Sequence, residues 1–124
     1  MPDVSYQLKD VHSIVVCGSV RSSGERMEQV GETLRKKGYK VVTPRMVPYY
    51  NTADLVEKAA DREYYYDAIR ESDAILVVGR AGSATCMEVG YARALNKKIL
   101  YADFPDELEH QSLMQSGHAR LWVI

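Results

Sequence analysis

One acidic side chain, Glu88, follows a glycine-rich turn in the segment GRAGSATCMEVGYARALNKK, residues 79 to 98. A carboxylate near the start of a helix can act on a bound ligand as a nucleophile or as an acid and base. Gly79, Gly82 and Ala84 precede it, and the absence of large side chains at these positions leaves room for a ligand to approach the backbone. The pattern therefore makes Glu88 a candidate catalytic residue.

A structural interpretation of Glu88 competes with the catalytic one. Thr85-Cys86-Met87-Glu88 fits the capping box, in which Thr85 is the N-cap and Glu88 bonds back to the N-cap N–H group. Ser83 is the other candidate cap. Either cap would place the Glu88 carboxylate in the first helical turn, so the local sequence leaves both interpretations open.

A second polar loop lies in CGSVRSSG, residues 17 to 24, between an apolar run and a helical pattern. Backbone N–H groups at a helix start bind anions, and serine hydroxyls and Arg21 add further donors. The loop lacks the spacing of a Walker A or a dinucleotide fingerprint, and a simple tight turn and cap would also explain it. The candidate substrate-binding residues in the two loops are Gly18, Ser19, Arg21, Ser22, Ser23, Gly24, Gly82 and Ser83.

The elements that position these loops alternate along the chain. Short apolar runs predict strands at residues 12–19, 39–44, 73–79, 98–103 and 119–124. Helical spacing predicts helices at residues 23–37, from Asn51 or Thr52 to 72, at 83–98 and at 106–117.

This order predicts a single α/β domain spanning residues 1–124, with a doubly wound five-stranded parallel sheet and helices on both faces, as in Rossmann and flavodoxin-like folds. Such sheets bind ligands beyond the carboxyl ends of their strands, where both polar loops lie.

The overall composition indicates a small-molecule partner. The chain has 124 residues and a net charge of −1 without a block of like charges, which argues against binding to nucleic acid or to a membrane surface. No apolar run is long enough to span a bilayer and no signal peptide begins the sequence, so we expect a cytoplasmic protein. Cys17 and Cys86 lack metal or redox spacing, and we expect both to be reduced and buried.

Three segments resemble the nucleoside 2-deoxyribosyltransferase superfamily. In that superfamily a helix with the pattern G-x-x-x-E-(L/V)-G-(Y/R)-A carries the catalytic glutamate, and Glu88, Gly90, Tyr91 and Ala92 match it. CGSVR is similar to the phosphate loop of one branch, the 2′-deoxynucleoside 5′-phosphate N-hydrolases. SLMQSG, residues 112 to 117, looks like the segment through which a neighbouring subunit of that branch adds a serine to the phosphate site.

The resemblance implies a specific activity. Glu88 would attack the anomeric carbon of a ribosyl or deoxyribosyl group, and water or a second base would then complete hydrolysis or transfer. The CGSVR loop would hold a 5′-phosphate, with Ser112 supplied by the partner subunit of a homodimer. No metal or redox cofactor would be required.

The chain departs from the family at one position. The family usually places an aspartate on the helix before strand three, where this sequence offers Tyr65 or Tyr66 within REYYYDAIRESD. Glu63 or Asp67 could replace the missing acid, or a tyrosine could donate a proton to the leaving base or to Glu88. The tyrosines could also simply line the base pocket or a dimer contact.

The departure admits two alternatives to the proposed enzyme. One is a nucleotide-binding sensor or sponge that has kept the phosphate loop and lost turnover. The other is a lysine-decarboxylase-like phosphoribohydrolase that acts on a modified nucleotide, although the PGGxGTxxE pattern of those proteins is absent.

Overall fold

A computed structural model describes residues 8–44, 54–79, 81–102 and 119–120 of the chain. Strands and helices alternate along it. The strands are β1 (Ser13–Cys17), β2 (Lys40–Val42), β3 (Ala74–Val78), β4 (Lys98–Ala102) and β5 (Ala119–Arg120). The helices are α1 (Val20–Lys36), α2 (Leu55–Glu71) and α3 (Ser83–Ala94).

All strand pairs in the sheet are parallel, in the order β2-β1-β3-β4-β5. The chain moves outward from β1 to β2 and then returns to place β3 on the other side of β1. This reversal opens a crevice at the carboxyl ends of β1 and β3, where ligands of such sheets bind. At the opposite edge, Asp73 fixes the start of the two strands, because its Oδ2 accepts from the N–H groups of His12 at 2.8 Å and Ser13 at 3.1 Å.

Helices cover both faces of the sheet. On one face Met27, Val30 and Leu34 of α1 pack against alternate residues of the strands, and on the other face Tyr65 and Ile69 of α2 and Ala92 of α3 do so. The central strand β3 is buried at every residue, as its continuous apolar sequence predicts. Burial of each large apolar side chain contributes about 1.5–3 kcal/mol to folding.

The predicted α/β fold with a parallel sheet is thus confirmed. The fifth strand of that prediction is represented by two described residues, and the predicted helix at 106–117 lies outside the described part of the chain. The five-strand count and the complete doubly wound arrangement therefore stay predictions.

The start of α1 differs from the prediction. We predicted a start at Ser23, but the helix begins at Val20 with Ser19 as its N-cap, because the Ser23 N–H group donates to the Ser19 carbonyl at 2.7 Å and closes the first turn. After Lys37 the chain turns at Gly38, whose φ of +99° favours glycine. Much of the predicted phosphate loop is therefore helical.

The start of α2 has a side-chain cap. Asp54 accepts a hydrogen bond from the Glu57 N–H group at 2.8 Å, so it serves as the N-cap. Asn51 and Thr52, the predicted caps, lie outside the described residues.

Two further findings concern cysteines and membranes. Cys17 is buried in β1, as predicted, but Cys86 is exposed on α3, so the prediction that both are buried is wrong. Its sequence position on a helix did not reveal that this face points to solvent. None of the helices in the described ranges has the length and apolarity that a membrane crossing needs.

Candidate active site

A cavity of about 500 Å³ opens at the carboxyl ends of β1 and β3. Four parts of the fold line it: the β1–α1 junction, Pro44 after β2, the first three turns of α2 and the start of α3. Its volume is in the range that holds drug-sized ligands and cofactors, about 300–1,000 Å³. The lining residues include Gly18, Ser19 and Arg21 from the first part, Lys58, Asp61, Arg62, Tyr65 and Tyr66 from α2, and Gly82, Ser83 and Glu88 from α3 and its N-cap.

Glu88 lines the cavity from α3, and the predicted capping box is wrong. The helix begins earlier than that motif requires, with Gly82 as N-cap and the Cys86 N–H group donating to the Gly82 carbonyl at 2.9 Å. No side chain caps this end, so Ser83 is not the cap either, and Thr85 is a buried residue inside the helix. Glu88 therefore lies in the second turn, too far along the helix to reach the N-cap N–H group.

The Glu88 carboxyl lies in an environment that disfavours its charge. Burial raises its pKa from the ordinary value of 4.5 to about 7, and the positive charge of Arg62 lowers the pKa against this effect. Such a group passes between its acid and carboxylate forms near neutral pH, which suits a catalytic acid, base or nucleophile.

Two helix starts that could hold an anion border the cavity. The N-cap Ser19 of α1 and the N-cap Gly82 of α3 make no side-chain cap bond, and neither helix has an acidic residue in its first turn. In contrast, α2 has both the Asp54 cap and Glu57 in its first turn. Uncapped N–H groups and the positive end of the helix dipole favour an anion. Both uncapped ends border the same cavity, so its ligand is expected to carry a negative charge.

The structure brings together most, but not all, of the predicted binding residues. Gly18, Ser19, Arg21, Gly82 and Ser83 line the cavity. Three predicted residues, which lie farther along α1, do not line it: Ser22, Ser23 and Gly24.

These three residues have other surroundings. The Ser22 side chain is exposed and Gly24 is buried in α1. The Ser23 hydroxyl lies against Gly79, where a β-carbon would come within 2.8 Å of the oxygen. Gly79 also has a φ of +68°, so glycine is required there on both counts. The other predicted binding residue, Ser112, lies outside the described residues.

The two candidate tyrosines differ in their contacts. Tyr65 is buried, and its hydroxyl donates a hydrogen bond to the Val16 carbonyl of β1. Because a phenol has one proton to donate, this bond removes Tyr65 as the donor to a leaving base. The ring of Tyr66 meets Tyr91 edge-on with centroids 5.1 Å apart. Burial and the nearby Glu88 raise the pKa of Tyr66, so its hydroxyl stays protonated at neutral pH.

The replacements considered for the missing acid lie away from the cavity. Glu63 and Asp67 are both exposed, and Asp67 pairs with Arg70 at 2.6 Å. Neither lines the cavity.

A polar face of α2, which was not predicted, does line the cavity. Asp61 lies one turn before Tyr65 and is flanked by two cations, Lys58 and Arg62. Helical periodicity carried this signal, because residues 58, 61, 62, 65 and 66 share one face of a helix.

Solved structures provide an independent comparison. A 2-deoxyribosyltransferase from Bacillus psychrosaccharolyticus superposes with a TM-score of 0.67 and 19% sequence identity, covering 88% of this chain and 85% of that protein. The CMP N-glycosidase BcmB from Clostridium botulinum superposes with a TM-score of 0.60 and 18% identity, covering 89% of this chain and 87% of that protein.

Sequence comparison alone gives no such likeness. No protein-family model matches this sequence, and no curated protein matches it either. At 18–19% identity, the structural likeness establishes the fold. The chain therefore has the fold that these two structures share, and this agrees with the fold that the resemblance implies.

Proposed function

We propose that the protein cleaves or transfers the N-glycosidic bond of a ribo- or deoxyribonucleoside 5′-monophosphate, or of a nucleoside, through a glycosyl ester on Glu88. The observation that carries this proposal is the shared cavity, in which a desolvated carboxylate lies beside two uncapped helix starts. The carboxylate supplies a nucleophile, and the helix starts supply an anion site for the phosphate.

The reaction has two steps in this proposal. A Glu88 carboxylate oxygen forms a bond to the anomeric carbon while the carbon–nitrogen bond breaks and its electron pair leaves with the base. Tyr66, whose hydroxyl is protonated at neutral pH and lines the cavity, donates the proton that the base needs. Water, or the nitrogen of a second base, then attacks the same carbon and releases Glu88, returning a proton to Tyr66. The positive character that develops on the sugar is stabilised by the carboxylate.

The charge of the cavity favours a nucleotide over an uncharged nucleoside. Among the described lining residues, three side chains are basic and two are acidic. A dianionic phosphate adds negative charge to a site that already carries Glu88, so both helix starts and Arg21 are needed to hold it. The phosphate group would sit at the β1–α1 junction, where Gly18 and Ser19 line the cavity.

The comparisons support the same class of reaction. The two similar structures are named as a 2-deoxyribosyltransferase and a CMP N-glycosidase, and both names describe chemistry at an N-glycosidic bond. We extend that class of reaction to this chain because it has the same fold and a carboxylate in the crevice.

We also propose that the protein works as a homodimer. The resemblance of SLMQSG to a segment that completes a neighbouring phosphate site gives Ser112 this role. In such a symmetric dimer each subunit would complete the site of the other.

A panel of ribo- and deoxyribonucleoside monophosphates and the matching nucleosides tests the activity. The purified protein should release free base from one or more nucleotides, as followed by chromatography. Glu88→Gln should lower the rate by at least about 10³-fold, because it removes the nucleophile and keeps the side-chain shape. Release that survives this substitution would overturn the mechanism.

One observation favours a second candidate, a nucleotide sensor. Tyrosines stand where the family places an acid, and the Tyr65 hydroxyl is used in a bond to the backbone. A sensor would bind a monophosphate tightly and release no base from any member of the panel. Release of base only from a modified nucleotide would instead favour the phosphoribohydrolase alternative.

A further inference from the structure

We infer that the Thr85 hydroxyl donates a hydrogen bond to the phosphate of the substrate, and that this bond helps the site to select a nucleotide over a nucleoside. This role rests on the proposed function, because it lies within the same cavity. Thr85 belongs to the first turn of α3 and lines the cavity together with Glu88. It is thereby a specificity-determining residue.

Thr85 differs from most residues of the cavity wall because its side chain is buried. Two of the described lining residues are buried, Thr85 with 2% of its surface exposed and Tyr65 with 8%. The other described lining residues, Arg21 and Arg62 among them, are half-buried or exposed. A buried polar group has lost its contact with bulk water and needs another hydrogen-bond partner. The Tyr65 hydroxyl has one in the Val16 carbonyl.

The Thr85 hydroxyl, in contrast, has no hydrogen-bond partner among the described residues. A threonine in a helix can bond to the carbonyl one turn before it, as Thr33 of α1 does with the Gln29 carbonyl at 3.0 Å. The corresponding carbonyl for Thr85 is that of Ala81, which accepts from Cys86 Sγ at 3.7 Å instead. A buried hydroxyl without a partner destabilises the free protein, and a ligand that accepts its proton removes this cost.

The surroundings of Thr85 favour an anionic acceptor. The start of α3 has no side-chain cap and no acidic residue in its first turn. The N–H group of Cys86 donates to the Gly82 carbonyl, so the N–H groups of Ser83 and Ala84 precede the first bond within the helix. Helical side chains point toward the N-terminus, which directs the Thr85 hydroxyl toward these N–H groups. Together they form a set of donors that suits a phosphate oxygen.

The spacing between Thr85 and Glu88 fits a sugar 5′-phosphate. Both residues line the cavity, and they lie three residues apart on α3, a rise of about 4.5 Å. With Glu88 at the anomeric carbon, Thr85 lies on the side of the helix start. Gly82 leaves this start open, because a β-carbon there would meet no atom within 4 Å. A nucleoside has no phosphate and gains nothing from the Thr85 hydroxyl.

A matched pair of threonine-to-valine substitutions tests whether the hydroxyl has a structural partner. Thr85→Val keeps the side-chain shape and removes a buried hydroxyl without a partner, so the Tm of the free protein should rise by about 2–5 °C. Thr33→Val removes a hydroxyl that is bonded within α1, so its Tm should stay the same or fall. Thermal unfolding without ligand measures both variants.

Ribose 5-phosphate and inorganic phosphate are the binding probes, because neither contains a base that the protein could release. In NMR titrations, Thr85→Val should raise the Kd of each probe by at least about tenfold, since a hydrogen bond to a charged group is strong. Thr85→Ser keeps the hydroxyl and should bind ribose 5-phosphate within about threefold of wild type. Thr33→Val should bind both probes as wild type does.

Three results would overturn the inference. The first is a lower Tm in Thr85→Val, because the hydroxyl would then have a partner within the protein. The second is an unchanged Kd for inorganic phosphate in Thr85→Val, which would assign the hydroxyl to the sugar or to neither group. The third is a wild type that binds neither probe. If the wild type binds ribose 5-phosphate through Thr85 and releases no base from any nucleotide, the proposed reaction fails and the role of Thr85 stands.

Discussion

At the scale of single residues, Glu88 is placed where its ionised form is costly. Buried carboxylates usually have several hydrogen-bond donors or a close ion pair, whereas no donor among the described residues bonds to this one. A residue selected only for packing at this position would be uncharged. We therefore expect the carboxylate to be kept for the reaction. The free energy that its ionisation costs in the folded state can be measured as a change in stability.

Glu88→Gln should stabilise the fold in a pH-dependent way. The folded state keeps a proton on Glu88 up to a pKa of about 7, whereas the unfolded chain releases it near the ordinary 4.5. Stability of the wild type therefore falls as pH rises between these values and stays lower above them. The variant should be more stable than wild type by about 2–3 kcal/mol at pH 8 and by almost nothing extra at pH 4.

Urea unfolding at pH 4, 6 and 8 measures this difference, with Glu71→Gln as a control on an exposed glutamate. If the difference in free energy of unfolding between Glu88→Gln and wild type is the same at all three pH values, folding does not raise the pKa of Glu88 and the prediction is wrong.

The two tyrosines on α2 should separate stability from activity. Tyr65→Phe removes the bond to the Val16 carbonyl in the interior, so we expect a loss of about 1–2 kcal/mol in stability and a modest change in kcat. Tyr66→Phe removes the proposed proton donor, so we expect kcat to fall by about 10²-fold with little change in stability. Thermal unfolding and steady-state kinetics on both variants test the pair, and the reverse pattern would exchange their roles.

These residues also show the limit of sequence reasoning at this scale. The sequence identified Glu88 and the tyrosines, but it could not separate Tyr65 from Tyr66, because their difference is a hydrogen bond to a strand that is distant in sequence. Asp61 and Arg62 were not predicted, because the sequence does not show which face of α2 points into the cavity. The face of α2 that points into the cavity depends on how the helix packs on the sheet.

At the scale of elements, we propose that two helix starts hold the phosphate. Both α1 and α3 begin without a capping side chain, which leaves their N–H groups for a ligand, and α2 is capped by Asp54. An uncapped helix start is less stable than a capped one by about 0.5–2 kcal/mol. We therefore propose that ligand binding takes the place of capping at these two starts.

Ser19→Asp should have opposite effects on stability and on binding. An aspartate at the N-cap bonds to the first turn and complements the helix dipole, so the protein should gain about 0.5–1 kcal/mol in stability. The same negative charge repels a phosphate, so the Kd for a nucleoside monophosphate should rise by at least about tenfold. Thermal unfolding and calorimetric titration measure the two effects.

The matching nucleoside serves as a ligand control for this substitution, since it has no phosphate to repel. Equal weakening of nucleoside and nucleotide would contradict the placement of the phosphate at the start of α1.

The elements were largely predictable from sequence, and their ends were not. The apolar run in β3 and the helical spacing of Met27, Val30 and Leu34 identified elements that the structure contains. The capping box at Thr85 failed because Gly82, with its extended ψ of −174°, starts the helix earlier. The N-cap depends on the residue at which the preceding strand and loop end, and three-dimensional packing determines that residue.

At the scale of the whole molecule, the parallel sheet brings distant segments to one edge. The carboxyl ends of β1 and β3 lie side by side, so CGSVR and the Glu88 helix meet although about 60 residues separate them in the chain. The alternation of apolar strands with helices predicted this class of fold. The role of Ser112 has a different basis, the resemblance alone, and it requires a test on the assembled protein.

Mixing two inactive variants tests whether the subunits share their sites. Glu88→Gln removes the nucleophile from its own site, and Ser112→Arg should block the site of the partner. After mixing and refolding together, heterodimers should contain one intact site each, so about one quarter of wild-type activity per site should return. Size-exclusion chromatography with light scattering verifies the dimer. A monomer, or no recovery in verified heterodimers, would contradict the shared site.

The most direct measurement for the central claim is the mass of the Glu88 peptide after reaction. A nucleoside 5′-monophosphate with fluorine at the sugar 2′ position should slow release of the glycosyl ester, because the fluorine destabilises positive charge on the sugar. Quenching in acid, proteolysis and mass spectrometry should then find the sugar phosphate attached to Glu88, with one free base released per site. Release of base without an adduct, or an adduct on another residue, would contradict the account.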